Sequence, residues 1–241
     1  MRSLANAIRF LTILPLSQRE RSEHIALGKS APWFPIVGLA IGAVLVLTEW
    51  ALRSVLNPPL LAVTLVVVWA TLTGGLHLDG VADFADGVFL AAEKERRLEV
   101  MRDPAIGGFG AIAIVFVLLM KTGALVGEAD GRGLLLAPAI GRWISLLVAI
   151  QKPAKATGMV VELQRGITRR GLVAASLACA VLVGFLGWGA VLAVLLAMLV
   201  GVVVMRMARV RLGGVTGDVA GAACEVAEVA ILVAFSLGAR S

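Results

Sequence analysis

The stretch TGGLHLDGVADFADG, Thr73 to Gly87, runs off the end of a long apolar segment and places Asp79, Asp83 and Asp86 within eight residues. On a helix, positions i, i+4 and i+7 project from one face, so the three carboxylates would crowd together. Crowded carboxylates repel unless a cation sits between them. Hard oxygen donors of this kind suit Mg²⁺, with Mn²⁺ as a substitute, better than zinc. The bland reading is a solvated acidic helix end, but the flanking residues are apolar and small rather than mixed with lysine.

The rest of the chain makes this a membrane problem. Hydrophobic residues form 59% of the 241, only 16% are charged, and the mean hydropathy is +0.95. That excess exceeds what a soluble domain needs and predicts an all-α, polytopic membrane bundle. The net charge of +6 is therefore not a nucleic-acid signature; the placement of the positive charges matters more than their sum. Cys179 and Cys224 both lie in apolar segments and read as packing residues.

Residues Met1–Ser17 imitate a signal peptide, but the apolar core is short and no small-residue cleavage site follows. Leu4, Ile8 and Leu11 share one helical face, which predicts a retained interfacial helix, followed by a polar loop over Gln18–Lys29. Seven spans are predicted, at Trp33–Leu56, Leu60–Val81, Gly107–Gly127, Leu134–Ile150, Leu172–Trp188, Val191–Met207 and Val215–Leu237. Between them they form one membrane domain over residues 1–241, with 1–30 as an N-terminal interfacial segment and 31–241 as the bundle. The basic clusters precede span one and fill the two-to-three, four-to-five and six-to-seven connections. Those are alternate loops, which puts them and the N-terminus in the cytoplasm and the C-terminus outside. The two long cytoplasmic loops are then Asp83–Ile106 and Gln151–Gly171.

Span seven opens at the same membrane surface with GGVTGDVAGAACEVAE, carrying Asp218, Glu225 and Glu228. If spans two and seven are neighbours, Asp79, Asp83, Asp86, Asp218, Glu225 and Glu228 line one cytoplasmic cavity, enough for two divalent ions. The alternative for Glu225 and Glu228 is pairing with Arg142 or Lys121 inside the bundle. Lys121 also has the option of snorkelling to the outer surface. Gly107 and Gly108, and Thr216 within GGVTG, open spans three and seven, where free helix N–H groups receive an anion such as phosphate. Those glycines equally allow close helix packing. Arg102, Lys152 and Lys155 in the long loops are candidate diphosphate ligands. His77 faces the same region, either as a base or as a structural group.

LHLDGVADFADG, MRDPAIGGFGAIAIV, GRW, KPAKATGM and GGVTGDVAGAACEVAE, in this order and spacing, resemble the cobalamin synthase family, the adenosylcobinamide-GDP ribazoletransferases. FLTILPLS and FPIVGLAIG extend the resemblance over nearly the whole chain. It implies a magnesium-dependent enzyme of the bacterial inner membrane. On this resemblance, a ribose hydroxyl of α-ribazole, or of its 5′-phosphate, is expected to attack adenosylcobinamide-GDP with GMP leaving. It also implies Asp79, Asp83, Asp86 and Asp218 as metal ligands, with Glu225 and Glu228 second, as ligands or as a base. A wider similarity to the CDP-alcohol phosphotransferases reads D-x-x-D-G at Asp83–Gly87, but Leu90-Ala91 departs from that pattern. The rivals are accordingly a lipid-making phosphotransferase and, from another class, an ion-coupled transporter, for which the absence of a repeat counts against.

Overall fold

A computed structural model describes residues 2–15, 27–127 and 131–238. Within them the chain is helical throughout: α1 (Arg2–Leu11), α2 (Phe34–Leu52), α3 (Pro58–Thr73), α4 (Leu76–Phe89), α5 (Lys94–Val100), α6 (Gly108–Val126), α7 (Arg132–Ala149), α8 (Met159–Gly166), α9 (Arg169–Leu186), α10 (Trp188–Leu212) and α11 (Gly217–Gly238). Most of the polar loop expected at Gln18–Lys29 lies outside the described residues; Leu27–Lys29 form a single 3₁₀ turn.

Six helices are long and apolar enough to cross a bilayer, and a seventh crossing arises if α3 and α4 count as one broken span. The expected second span, Leu60–Val81, is thus corrected. The helix stops at Thr73 and restarts at Leu76, with the two axes bent by 91°. The cause is Gly74-Gly75, which adopt φ of 60° and 70° in succession. Two consecutive left-handed residues end a right-handed helix, and only glycine takes them without a Cβ penalty. The apolar run continues through this break, so hydropathy alone reads it as one helix. The fifth and sixth spans are separated at Gly187 (φ 83°) rather than at Gly189-Ala190.

The two long segments predicted as loops are less loop than expected. Much of the stretch Asp83–Ile106 is helix, divided between the end of α4 and α5. Arg97, buried on α5, donates to the carbonyls of Val88 (2.7 Å), Gly87 (3.3 Å) and Ala92 (2.7 Å), closing the C-terminal end of α4. α8 interrupts the second segment, and Gln164 on it donates to the carbonyls of Ala149 and Gln151, both at 2.7 Å, where α7 ends.

The core is built around α7 and α11, whose apolar stretches are 78% and 72% buried, against 11% for the peripheral α9. In lipid, helices gain little from apolar contact alone and associate where small residues let backbones approach. Gly38 and Gly42 do this on α2: a Cβ at Gly38 would fall 2.3 Å from the carbonyl oxygen of Pro138, and one at Gly42 2.7 Å from that of Leu135. α1 docks on the bundle through buried Ala7 and Leu11 and through Phe10 stacked on Phe34 with centroids 5.7 Å apart.

Candidate active site at the α4–α11 crossing

α4 and α11 pack directly against each other. The contact is made by glycine on both sides: a Cβ at Gly80 would lie 3.0 Å from the Asp218 carbonyl oxygen, and one at Gly221 would lie 3.5 Å from the Cα of Gly80. This approach brings Asp79 and Asp83 to Asp218. Asp83, half-buried, sits in the field of Asp218, Asp79 and Asp86, with Asp218 the strongest of these like charges.

The structure divides the six expected carboxylates. Asp86 is buried, and its two oxygens accept the backbone N–H groups of Gly107 (2.8 Å) and Gly110 (2.9 Å) at the start of α6. The anion at that helix N-terminus is a side chain of the protein, so Gly107 does not offer its N–H to a ligand, while Gly108 stays exposed and uncrowded. Glu225 and Glu228 lie about 10 and 15 Å along the α11 axis from Asp218, at 1.5 Å per residue. There they meet buried cations. Lys121 Nζ is 2.7 Å from Glu225 Oε2 and 2.5 Å from Glu228 Oε2. Arg142 Nη1 donates to Glu228 Oε1 and to the Pro138 carbonyl (3.2 Å). Lys121 also sits 4.1 Å over the Trp69 ring, so it is held inside the bundle and does not snorkel. Asp79, Asp83 and Asp218 remain together at the surface.

Beside them lies a polar cleft of about 250 Å³, lined by Arg102, Lys155, Thr157, Thr216 and Asp218 among others. Its wall is fixed by two hydrogen bonds, Ala154 N–H to the Val215 carbonyl and Val215 N–H to the Lys152 carbonyl, both 2.9 Å. Lys152 takes part through this backbone carbonyl; its side chain is exposed and does not line the cleft. Lys155 is held below the ordinary lysine pKa, first by partial burial and then by Arg102, with Asp218 acting against both. Two cations that repel each other in one cleft make a ready anion site. Thr216 caps α11, accepting from Val219 N–H at 3.3 Å, and donates its hydroxyl to Asp218 at 3.1 Å.

A second, largely apolar cavity of about 120 Å³ adjoins the cleft, the two sharing Met159, Val160, Gly217 and Asp218. His77 lines it, buried, with Nδ1 lacking a hydrogen-bond partner. Sequence reasoning missed this cavity, because its walls come from α1, α2, α4, α7, α8 and α11. The amphipathic start of the chain, with Phe10 and Leu11, was the one signal available.

Six to seven long apolar helices, one of them broken so that its carboxylates meet Asp218 beside a cleft lined by Arg102 and Lys155, define a polytopic membrane protein with a candidate anion site. The family model described as cobalamin-5-phosphate synthase matches residues 3–236, and the chain belongs to that family of transferases of cobalamin biosynthesis. Among its relatives, the adenosylcobinamide-GDP ribazoletransferase of Roseiflexus sp. (strain RS-1) is 39% identical over 98% of this chain and 90% of its own. That of Herpetosiphon aurantiacus is 36% identical over 96% and 95%, and that of Pseudomonas fluorescens (strain Pf-5) 39% over 96% and 97%. No solved structure matches the chain.

Proposed function

We propose that the ribazoletransferase reaction takes place at Asp79, Asp83 and Asp218, where α4 and α11 cross. A ribose hydroxyl of α-ribazole, or of α-ribazole 5′-phosphate, attacks the cobinamide-side phosphorus of adenosylcobinamide-GDP. The P–O bond to GMP breaks, and a phosphodiester joins the two halves of the product. The observation that carries this reading is the Gly80–Gly221 contact, which brings Asp79 and Asp83 of α4 toward Asp218 of α11, and Asp218 lines the cleft that holds Arg102 and Lys155.

Among the described residues, no three acidic, histidine or cysteine side chains converge as a preformed metal cage. Mg²⁺ does not require one, since it is commonly held by one or two carboxylates with substrate phosphate and water completing the shell. Asp79, Asp83 and Asp218 fit that arrangement: they are oxygen donors, they repel one another, and Asp218 lines the basic cleft. Asp86, Glu225 and Glu228 fit it less well, being occupied by helix N–H groups or by buried cations. When bound, the ion neutralises charge on the diphosphate and on departing GMP. Arg102 and Lys155 hold diphosphate oxygens and resist their drift into water. Asp79, the most exposed of the three carboxylates, accepts the proton of the attacking hydroxyl.

The alternation of basic loops supports a place in the bacterial inner membrane with the N-terminus and this cleft on the cytoplasmic side, and α11 ending outside. The test uses purified protein in liposomes with adenosylcobinamide-GDP, α-ribazole phosphate and Mg²⁺, reading GMP release and product mass. Turnover that disappears with EDTA and in Asp83→Ala supports the reading. Turnover that survives both removes the carboxylate site.

A further inference from the structure

The apolar cavity beside the site has a size, a wall chemistry and one unpaired atom that together select a ligand. Its volume of about 120 Å³ is close to that of a buried apolar cavity of about 150 Å³ that holds one benzene molecule. It is too small for a corrin ring or a nucleotide. Phe10, Phe34, Leu146, Val160 and Leu163 form much of its wall. Ser145 also lines it, but its hydroxyl is already donated to the Arg142 carbonyl at 2.9 Å. His77 is only 6% exposed and its Nδ1 has no partner. Buried polar atoms are nearly always hydrogen-bonded, so an orphan on a cavity wall points to a ligand atom that completes it.

Polarity changes in one direction across the two adjoining spaces. The apolar cavity leads to Asp79 and Asp218 at its polar border, and Asp218 leads to Arg102 and Lys155 in the cleft. The reacting pair has the same order: a flat aromatic base, a ribose hydroxyl, then a diphosphate. Resting on the ribazoletransferase reading above, we infer that the cavity between α1, α2, α4, α7, α8 and α11 seats the aromatic base of the acceptor nucleoside. His77 Nδ1–H donates to the unsubstituted ring nitrogen of that base. The corrin ring of the donor stays outside, beyond the cleft. The cavity then sets which base the enzyme accepts. A compact, apolar bicyclic ring seats its benzo edge inside and keeps its nitrogen-bearing edge at the His77 and Asp218 border, where the cavity adjoins the cleft. A base with several exocyclic polar groups would leave them unpaired against leucine and phenylalanine.

The test combines direct binding with kinetics on the full-length protein in detergent. Free benzimidazole, titrated calorimetrically, is expected to bind wild type saturably and to compete with the acceptor but not with adenosylcobinamide-GDP. Ala149→Phe fills the cavity; it is expected to raise the acceptor KM at least tenfold and leave the donor KM within twofold. His77→Phe is expected to weaken benzimidazole binding severalfold, and it provides the second variant should Ala149→Phe fail to fold. No saturable benzimidazole binding to wild type overturns the inference. So does competition with the donor, or with added lipid alone, which would assign the cavity to an acyl chain. The ribazoletransferase reading fails separately, if wild type releases no GMP; benzimidazole binding is read without turnover and keeps the two failures apart.

Discussion

The Asp86 carboxylate accepts the backbone N–H of Gly107 at 2.8 Å and, through its other oxygen, that of Gly110 at 2.9 Å. In a capping box these two N–H groups, at N-cap and N3, are satisfied by each other's side chains. Both positions are glycine here, and one aspartate from another helix does both tasks while adding favourable charge at the helix N-terminus. A Cβ at either glycine would fall 2.4 Å from an Asp86 oxygen, so the glycines are the vacancy into which the carboxylate fits. Asp86→Ala should therefore cost stability, about 2 kcal/mol for two lost bonds at a buried helix start. Asp83→Ala should abolish turnover with little change in stability. Thermal unfolding in detergent alongside GMP release separates the two; equal melting losses in both variants would contradict the division of labour.

Gly80→Ala tests the crossing. The new Cβ would stand 3.0 Å from the Asp218 carbonyl oxygen, which is backbone and cannot swing away. α4 must move by a few tenths of an ångström from α11, and small misplacements of reacting groups are costly in rate. The expected result is a fall in kcat of about tenfold or more in a protein that still folds, with donor KM less affected. Unchanged kcat would mean that the distance between Asp83 and Asp218 is not under tight control.

Lys121 carries two carboxylates inside the bundle, with all three side chains at most 5% exposed. Lys121→Met leaves both Glu225 and Glu228 short of a cation, and removing one partner of a buried charge network costs about 3–5 kcal/mol. Combining Lys121→Met with Glu225→Gln should restore most of that loss, because Glu228 keeps Arg142. A double-mutant cycle on thermal unfolding reads the coupling; additive losses would remove the network from the account.

Lys155 loses its proton at lower pH than an ordinary lysine, because burial and then Arg102 disfavour its charge. It is cationic below its pKa and neutral above it, so diphosphate binding should weaken as pH rises through a range where a free lysine would still be charged. Lys155→Arg keeps its charge throughout. The alkaline limb of kcat/KM for the donor should move to higher pH in this variant, and an unmoved limb would take Lys155 out of substrate binding.

Much of the fold is legible in the chain because the helix length a bilayer demands is a strong constraint, and the linked motifs carry the family. Arg142 pairs with a buried carboxylate as the cost of an intramembrane charge requires. The break at Gly74-Gly75 was present in the letters but not in the hydropathy, since glycine weakly perturbs an apolar average while ending a helix outright. The destination of each carboxylate was not legible. Asp86 reaches residues 21 and 24 positions away, and Lys121 meets Glu228 across 107. Spacing shows which acids share a helix face; it does not show what stands opposite.

The buried pairing of Lys121 and Arg142 with Glu225 and Glu228 also bears on how the protein is made. A glutamate in mid-helix makes an isolated segment reluctant to leave the insertion channel for lipid, and α11 has two. Their cations belong to α6 and α7, which precede α11 in synthesis. α11 is thus released into the bilayer alongside partners already in place, and its insertion and its folding become a single event.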